Sequence, residues 1–245
     1  MNSEYIKKIL QKNNVIFLHL SSVNSTMQEI KKIRKNKNIF LIADEQKNGI
    51  GRRGNSWESP PGNIYFSISL KYDLNLKDHF IYNAAIVLSI VNVLNTISND
   101  DIKIKWPNDI LINFKKISGV MSEIYQKNQI NYINIGVGIN FISSPKLNEY
   151  KTTHVYEINN TIDKNKLIYD IVKNFFSQIN LIHNEKFDII INEFKSKLLY
   201  LGKKINLEHE NKSKISGIFE DINNDGSILL NINGLKHNIY SARLI

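Results

Sequence analysis

Apolar residues recur along the chain with two periods. In the segment Asn63–Leu70, Ile64, Phe66, Ile68 and Leu70 share one side, the period-two pattern of a strand with one buried face. Residues 131–139 alternate in the same way, with Ile133, Ile135, Val137 and Ile139 set against Tyr132, Asn134, Gly136 and Gly138. Over 163–182, Ile168, Ile171, Val172, Phe175, Ile179 and Ile182 fall at helical spacing, and 185–200 reads as a second helix. Further helices are predicted over 3–12, 25–35 and 78–97, the last about five turns long. Ser25-Thr26-Met27-Gln28 has the form of a capping box with Ser25 as N-cap. Strands are predicted over 15–20, 39–44, 102–106, 110–114 and 117–125. Closely successive strands favour antiparallel hairpins, so the fold class is α+β with a mixed sheet.

The pattern changes after Leu201. Short strands at 204–209, 214–222, 227–232 and 235–240 are punctuated by Asn224-Asp225-Gly226 and Asn233-Gly234, residues that accept the positive φ of hairpin turns. A small barrel of four or five strands and about 45 residues satisfies them. The expected boundary lies at Leu201-Gly202, dividing residues 1–200 from 201–245.

Composition narrows the chemistry. The 245 residues contain no cysteine, which removes disulfide scaffolds, thiolate metal sites and cysteine nucleophiles and fits a reducing cytoplasm. No run of about 18 apolar residues offers a membrane span, and the N-terminus lacks a signal-peptide pattern. The net charge is +9 and the isoelectric point about 9.4. Asparagine alone occupies 35 positions, and lysine and isoleucine rise with it, as A/T-rich codon usage produces. The lysines are scattered, not striped, so the charge does not outline a nucleic-acid footprint.

Four stretches carry candidate chemistry. Gln46 to Trp57 contains Gly49-Ile50-Gly51-Arg52-Arg53-Gly54, where glycines allow close backbone approach and arginines offer planar forks for phosphate or carboxylate. It is not a P-loop, and no helix follows it as a dinucleotide fingerprint requires; a flexible basic loop is the simpler reading. Lys105-Trp106-Pro107-Asn108-Asp109 sits between two strands: a structural proline turn, unless Asn108 reads a base or amide edge and Asp109 holds a metal or caps the turn. Lys116 opens the strand containing Gly119, either as a solvated turn residue or as an inward point charge. Gly136-Val137-Gly138-Ile139-Asn140 offers a flat floor for a ring or a close helix–sheet contact.

In combination these stretches, with Ser25-Thr26 before them and Lys116, Ser118-Gly119 and Glu123 among them, resemble the biotin protein ligases. The resemblance covers roughly residues 15–145. It implies a catalytic domain like that of class II aminoacyl-tRNA synthetases followed by a small C-terminal SH3-like β-barrel. It implies ATP-dependent activation of biotin to biotinyl-5′-AMP, with magnesium, and transfer to a lysine of a biotin carboxyl carrier domain. By the same resemblance Lys116 and Arg52 are catalytic. Ser25, Thr26, Met27, Gln46, Ile50 and Gly51 join them around biotin, with Ser25, Thr26 and Gln46 on its ureido ring. Gly49, Arg53, Trp57, Asn108 and Asn140 lie beside the nucleotide, and no dedicated metal ligand is expected. Ile50 stands where the family often has arginine, Met27 where asparagine is common, and Arg243 is left out of the expected site. The pattern starts near residue 15, leaving no room here for a winged helix-turn-helix of about 60 residues, so neither specific DNA binding nor a membrane partner is expected. A lipoate or octanoate ligase of similar fold is the alternative enzyme. A basic nucleic-acid-binding protein would leave the four motifs unexplained.

Overall fold

The computed structural model describes residues 4–33, 37–73 and 75–245. The chain opens with helix α1 (Glu4–Lys12), which buries Ile6 and Leu10, one helical turn apart; Ser3, at the start of the predicted helix, lies outside the described residues. Strand β1 (Val15–Val23) and strand β2 (Asn38–Gln46) run parallel, joined through the short helix α2 (Thr26–Lys32). Residues 34 and 35, at the end of the predicted helix, also lie outside the described residues. Strand β3 (Ile64–Lys71) follows antiparallel to β2, and helix α3 (Phe80–Asn95) then crosses the sheet. Strands β4 (Ile102–Lys105), β5 (Asp109–Ile112), β6 (Lys115–Lys127) and β7 (Ile130–Ile139) form an antiparallel meander. The finished sheet has seven strands in the order β1-β2-β3-β7-β6-β5-β4, so the last strand made inserts in the middle, beside β3. Among the described strand pairs of this sheet only β1–β2 is parallel, the mixed sheet that the succession of strands predicts.

One face of this sheet is covered by α1, α3 and, after the one-turn helix α4 (Val155–Ile158), helices α5 (Lys164–His183) and α6 (Phe187–Lys197). Helix α3 is apolar nearly all round and buried nearly all round, because α5 and α6 cover its outer side. The other face meets α2, whose Ile30 packs with Ile39 and Leu41 of β2 in a separate small cluster. Strand β3 is therefore not half-buried as its alternation predicts. Ile64, Phe66, Ile68 and Leu70 enter the main core, while Tyr65, Ser67 and Ser69 are buried too. Alternation of apolar and polar residues here separates a greasy face from a polar but covered one.

A second sheet, five-stranded and antiparallel, has the order β11-β10-β9-β8-β12. It comprises β8 (Lys204–Glu208), β9 (Lys214–Ile222), β10 (Ile228–Ile232), β11 (Leu235–Ile239) and the short β12 (Arg243–Leu244). Trp106, at the turn between β4 and β5, is 4% exposed and donates its indole N–H to the carbonyl of Gly226 at 2.7 Å. Gly226 lies in the Asn-Asp-Gly turn of the second sheet and packs on the ring of Phe80. Trp106 thus fastens the turn between β4 and β5 to the second sheet, beside a cavity that both sheets wall.

Candidate active site

The cavity has a volume of about 1170 Å³ and is walled by both sheets. Its inner end is built where β1 and β2 finish side by side, with Val23 opposite Gln46. Ser25 and Thr26, only 1% and 3% exposed, start α2 there. The capping box is not formed: Ser25 is the N-cap residue but its side chain makes no cap hydrogen bond. The first helical amide goes elsewhere. Thr26 donates its backbone N–H to Oε1 of Gln46 at 2.8 Å, and its hydroxyl donates to the same oxygen at 3.1 Å. Gln46 Nε2 donates to Ser59 Oγ at 2.9 Å, Ser59 to the carbonyl of Trp57 at 2.9 Å, and Ser67 to Thr26 Oγ1 at 2.8 Å.

The glycine-rich stretch forms a small hairpin closed on itself. Gly51 N–H bonds the Asn55 carbonyl at 2.7 Å and Trp57 N–H bonds the Gly49 carbonyl at 2.9 Å. A Cβ on Gly49 would stand 2.3 Å from the Trp57 carbonyl oxygen, so only glycine lets the hairpin close. The fold delivers Trp57 onto the sheet. Its indole rests against Gly119 of β6 and Gly138 of β7, directly paired residues, where a Cβ would stand 2.9 and 2.4 Å from ring atoms. Gly136 takes the Met27 side chain in the same manner. Both readings of the glycine strand thus apply, a ring floor at Gly138 and a helix–sheet contact at Gly136. Gly138→Ala should lower stability by about 1–3 kcal/mol through overpacking. Trp57→Ala should recover most of that loss in a double-mutant cycle read by thermal melting.

Lys116 points inward. A register shift where β6 meets Ile110 and Leu111 turns it into the cavity, its side chain 14% exposed. Its ammonium lies 2.7 Å from Asp109 Oδ1 and over the rings of Trp57 and Tyr150 at 5.2 and 5.3 Å. Asp109 neither caps the turn with its carboxylate nor joins a metal cluster; it anchors Lys116. Asn108 is clipped to β6 through its side-chain N–H on the Val120 carbonyl, which turns Oδ1 to receive Arg52 Nη1 at 3.0 Å. Burial draws the Arg52 guanidinium below its ordinary pKa, with Arg53 adding to the shift and Asp109 opposing it. Burial does the same to Lys105, opposed by Asp109 and reinforced by Arg243 and Lys116. Cationic groups thus crowd around a partly dehydrated space, an arrangement suited to anions.

Most of the residues expected from the sequence line this one cavity: Ser25, Thr26, Met27, Gln46, Ile50, Gly51, Arg52, Arg53, Trp57, Asn108 and Lys116. Gly49 and Asn140 are not among its lining residues. Asn140 is 2% exposed and donates to the Thr153 carbonyl at 3.0 Å, pinning the 145–153 segment beside Lys116. Arg53 reaches Ser241 Oγ at 3.0 Å, tying the hairpin to the second sheet. Arg243, not expected in the site, lines the cavity and pairs with Glu149. Ser59 and Ser67 are further residues that motif reading missed; Asp109, read as a metal holder or turn cap, instead anchors Lys116. Among the described residues no group of three His, Cys, Asp or Glu side chains is placed to hold a metal. The lining carboxylates, Asp109 and Glu149, are already paired with Lys116 and Arg243, so the residues present do not fit a resident magnesium ion.

Comparison with known proteins gives matches in both sequence and fold. Residues 19–140 match the biotin/lipoate A/B protein ligase family. The bifunctional ligase/repressor BirA of Bacillus subtilis (strain 168) is 27% identical over 230 residues, 91% of this chain and 70% of the relative. BirA of Salmonella typhimurium is 26% identical over 200 residues, 79% of this chain and 62% of the relative. The chain therefore spans 62–70% of the length of these two relatives. The structure of biotin protein ligase from Aquifex aeolicus in complex with biotin and ATP superposes with a TM-score of 0.78 at 28% identity, covering 95% of this chain and 97% of that one.

Proposed function

Residues 19–140 carry the biotin/lipoate A/B protein ligase domain and the chain is homologous to biotin protein ligases, and from that premise we propose that it activates biotin with ATP and transfers the biotinyl group to a carrier-domain lysine. In the first step a biotin carboxylate oxygen attacks the α-phosphorus of ATP, the bond to the β-phosphate oxygen breaks, and pyrophosphate leaves. In the second the ε-amine of the carrier lysine attacks the acyl carbon of biotinyl-5′-AMP; AMP departs, an amide forms and the amine loses its proton.

The observation that carries this reading is Lys116. Its ammonium is fixed by Asp109 within one cavity that also holds Arg52 and the polar Thr26–Gln46 end. Two anions must meet for adenylation, and a fixed charge in a poorly solvated space stabilises them most where charge concentrates at the reacting phosphate. Asn108 aims the Arg52 guanidinium at the same space. Magnesium arrives with the nucleotide's phosphates, and no step here is assigned to it. Within this reading residues 1–200 are the catalytic domain, of class II synthetase type, and 201–245 an SH3-like barrel that closes the nucleotide side of the cavity. In this reading the reaction is cytoplasmic, which the cysteine-free composition fits, and the acceptor is a biotin carboxyl carrier domain.

The test is exchange of radiolabelled pyrophosphate into ATP by the pure protein with magnesium and no carrier. Biotin-dependent exchange is expected. Exchange with lipoate or octanoate in place of biotin, or none with any of them, would overturn the proposal. Biotin, and not lipoate, should also raise the melting midpoint, because it binds only the folded protein.

A further inference from the structure

Ser67 and Ser59 sit outside every sequence motif and do not line the cavity. Both are buried, at 0% and 8% exposure, and both bond to residues that do line it. The direction of every bond in this chain of side chains is forced. A backbone N–H can only donate, so the Gln46 atom facing Thr26 N must be the amide oxygen. That leaves the Thr26 hydroxyl, on the same oxygen, no choice but to donate. Ser67 must then donate to Thr26 Oγ1, since the threonine proton is already committed. At the other side Gln46 Nε2 faces Ser59, which accepts from it and donates to the Trp57 carbonyl, a group that can only accept.

Counting what remains gives the ligand's polarity. Gln46 Oε1 is filled by two donors. Gln46 Nε2 keeps one N–H and Thr26 Oγ1 keeps one lone pair. A ligand that satisfies both must carry an acceptor and a donor side by side, which is the C=O and N–H edge of a urea. A dithiolane or an alkyl tail offers neither, and a polar site left unpaired discriminates strongly against such a ligand.

We propose that Ser67 and Ser59 are positioning residues which hold the Thr26 hydroxyl and the Gln46 amide in the orientation that presents this donor–acceptor pair, and so tune the inner end of the cavity for a ureido edge. The proposal rests on the biotin-ligase reading and adds to it the residues that set its selectivity.

The experiment is steady-state pyrophosphate exchange by the full chain and its Ser67→Ala and Ser59→Ala variants, with biotin and with desthiobiotin, which keeps the cyclic urea and lacks the thioether ring. Each variant should raise the KM for both ureido ligands about tenfold, the loss of one well-placed hydrogen bond. The KM for ATP and kcat should stay within about twofold. A merely structural role would move the ATP KM or kcat as well, and that result would overturn the proposal, as would an unchanged biotin KM in both variants. Because the variants lie on different strands and loops, failure of one to fold leaves the other to decide. Wild-type protein without biotin-dependent exchange would instead overturn the ligase reading itself.

Discussion

Lys116→Ala should reduce biotin-dependent pyrophosphate exchange by about 10²–10³-fold, the scale set by removing one preorganised charge donor from a transition state. The ammonium is held at 2.7 Å by Asp109, which keeps it in place before any ligand arrives. Its side chain is 14% exposed, so little water competes for it. Lys116→Arg should recover little of this activity. The guanidinium is planar and larger, and it would have to displace the Trp57 and Tyr150 rings that now flank the ammonium. Asp109→Asn keeps the cation and loses its anchor, so its defect should be smaller than that of Lys116→Ala and should fall chiefly on kcat. Equal activity of Lys116→Ala and wild type would remove Lys116 from the chemistry.

Trp106→Ala should destabilise the protein by about 3–5 kcal/mol, the range for truncating a large buried aromatic. For a chain of this length that is a fall in melting midpoint of roughly 10 °C. The residue does two jobs in the fold. Its ring is buried in the main core, and its N–H satisfies the Gly226 carbonyl of the second sheet. Trp106→Phe separates the two. It keeps most of the packing and strands one buried carbonyl, at about 1–3 kcal/mol. Exchange activity should fall along with stability in the alanine variant, because Asn108 and Asp109 follow in the same turn and take their geometry from it. Denaturant melts of the two variants, compared with wild type, measure both contributions.

The motifs that carry charge or glycine were legible in the chain because their chemistry is local. Gly49-Ile50-Gly51-Arg52-Arg53-Gly54 announces a tight basic turn, and Lys105-Trp106-Pro107-Asn108-Asp109 a turn with polar ends. What was not legible depends on what lies opposite. Nothing in Asn63–Leu70 says that its polar side is covered by α2, so the strand read as half-exposed. Ser25 and Gln28 have the spacing of a cap, yet Gln46, twenty residues on, takes the first amide of the helix. Asn140 stands in a motif but spends its amide on the Thr153 carbonyl, a partner no spacing rule supplies. Ser67 and Ser59 carry no signal at all, because an isolated serine acquires meaning only from the atom it faces.

The strand order has a kinetic consequence. Strand β7 is made last of the seven yet lies between β3 and β6. Until it docks, β3 has a bare edge and Gly138 is absent from beneath Trp57. Pairing β3 with β7 closes a loop that contains α3 and strands β4 to β6, the kind of long-range contact that slows folding. Completing the sheet and completing the ligand platform are thus one event. In refolding, the Trp57 fluorescence change and the recovery of biotin binding should share a single time course, later than the appearance of helical signal. A partly folded chain then has no half-built pocket in which a reactive adenylate could form and escape.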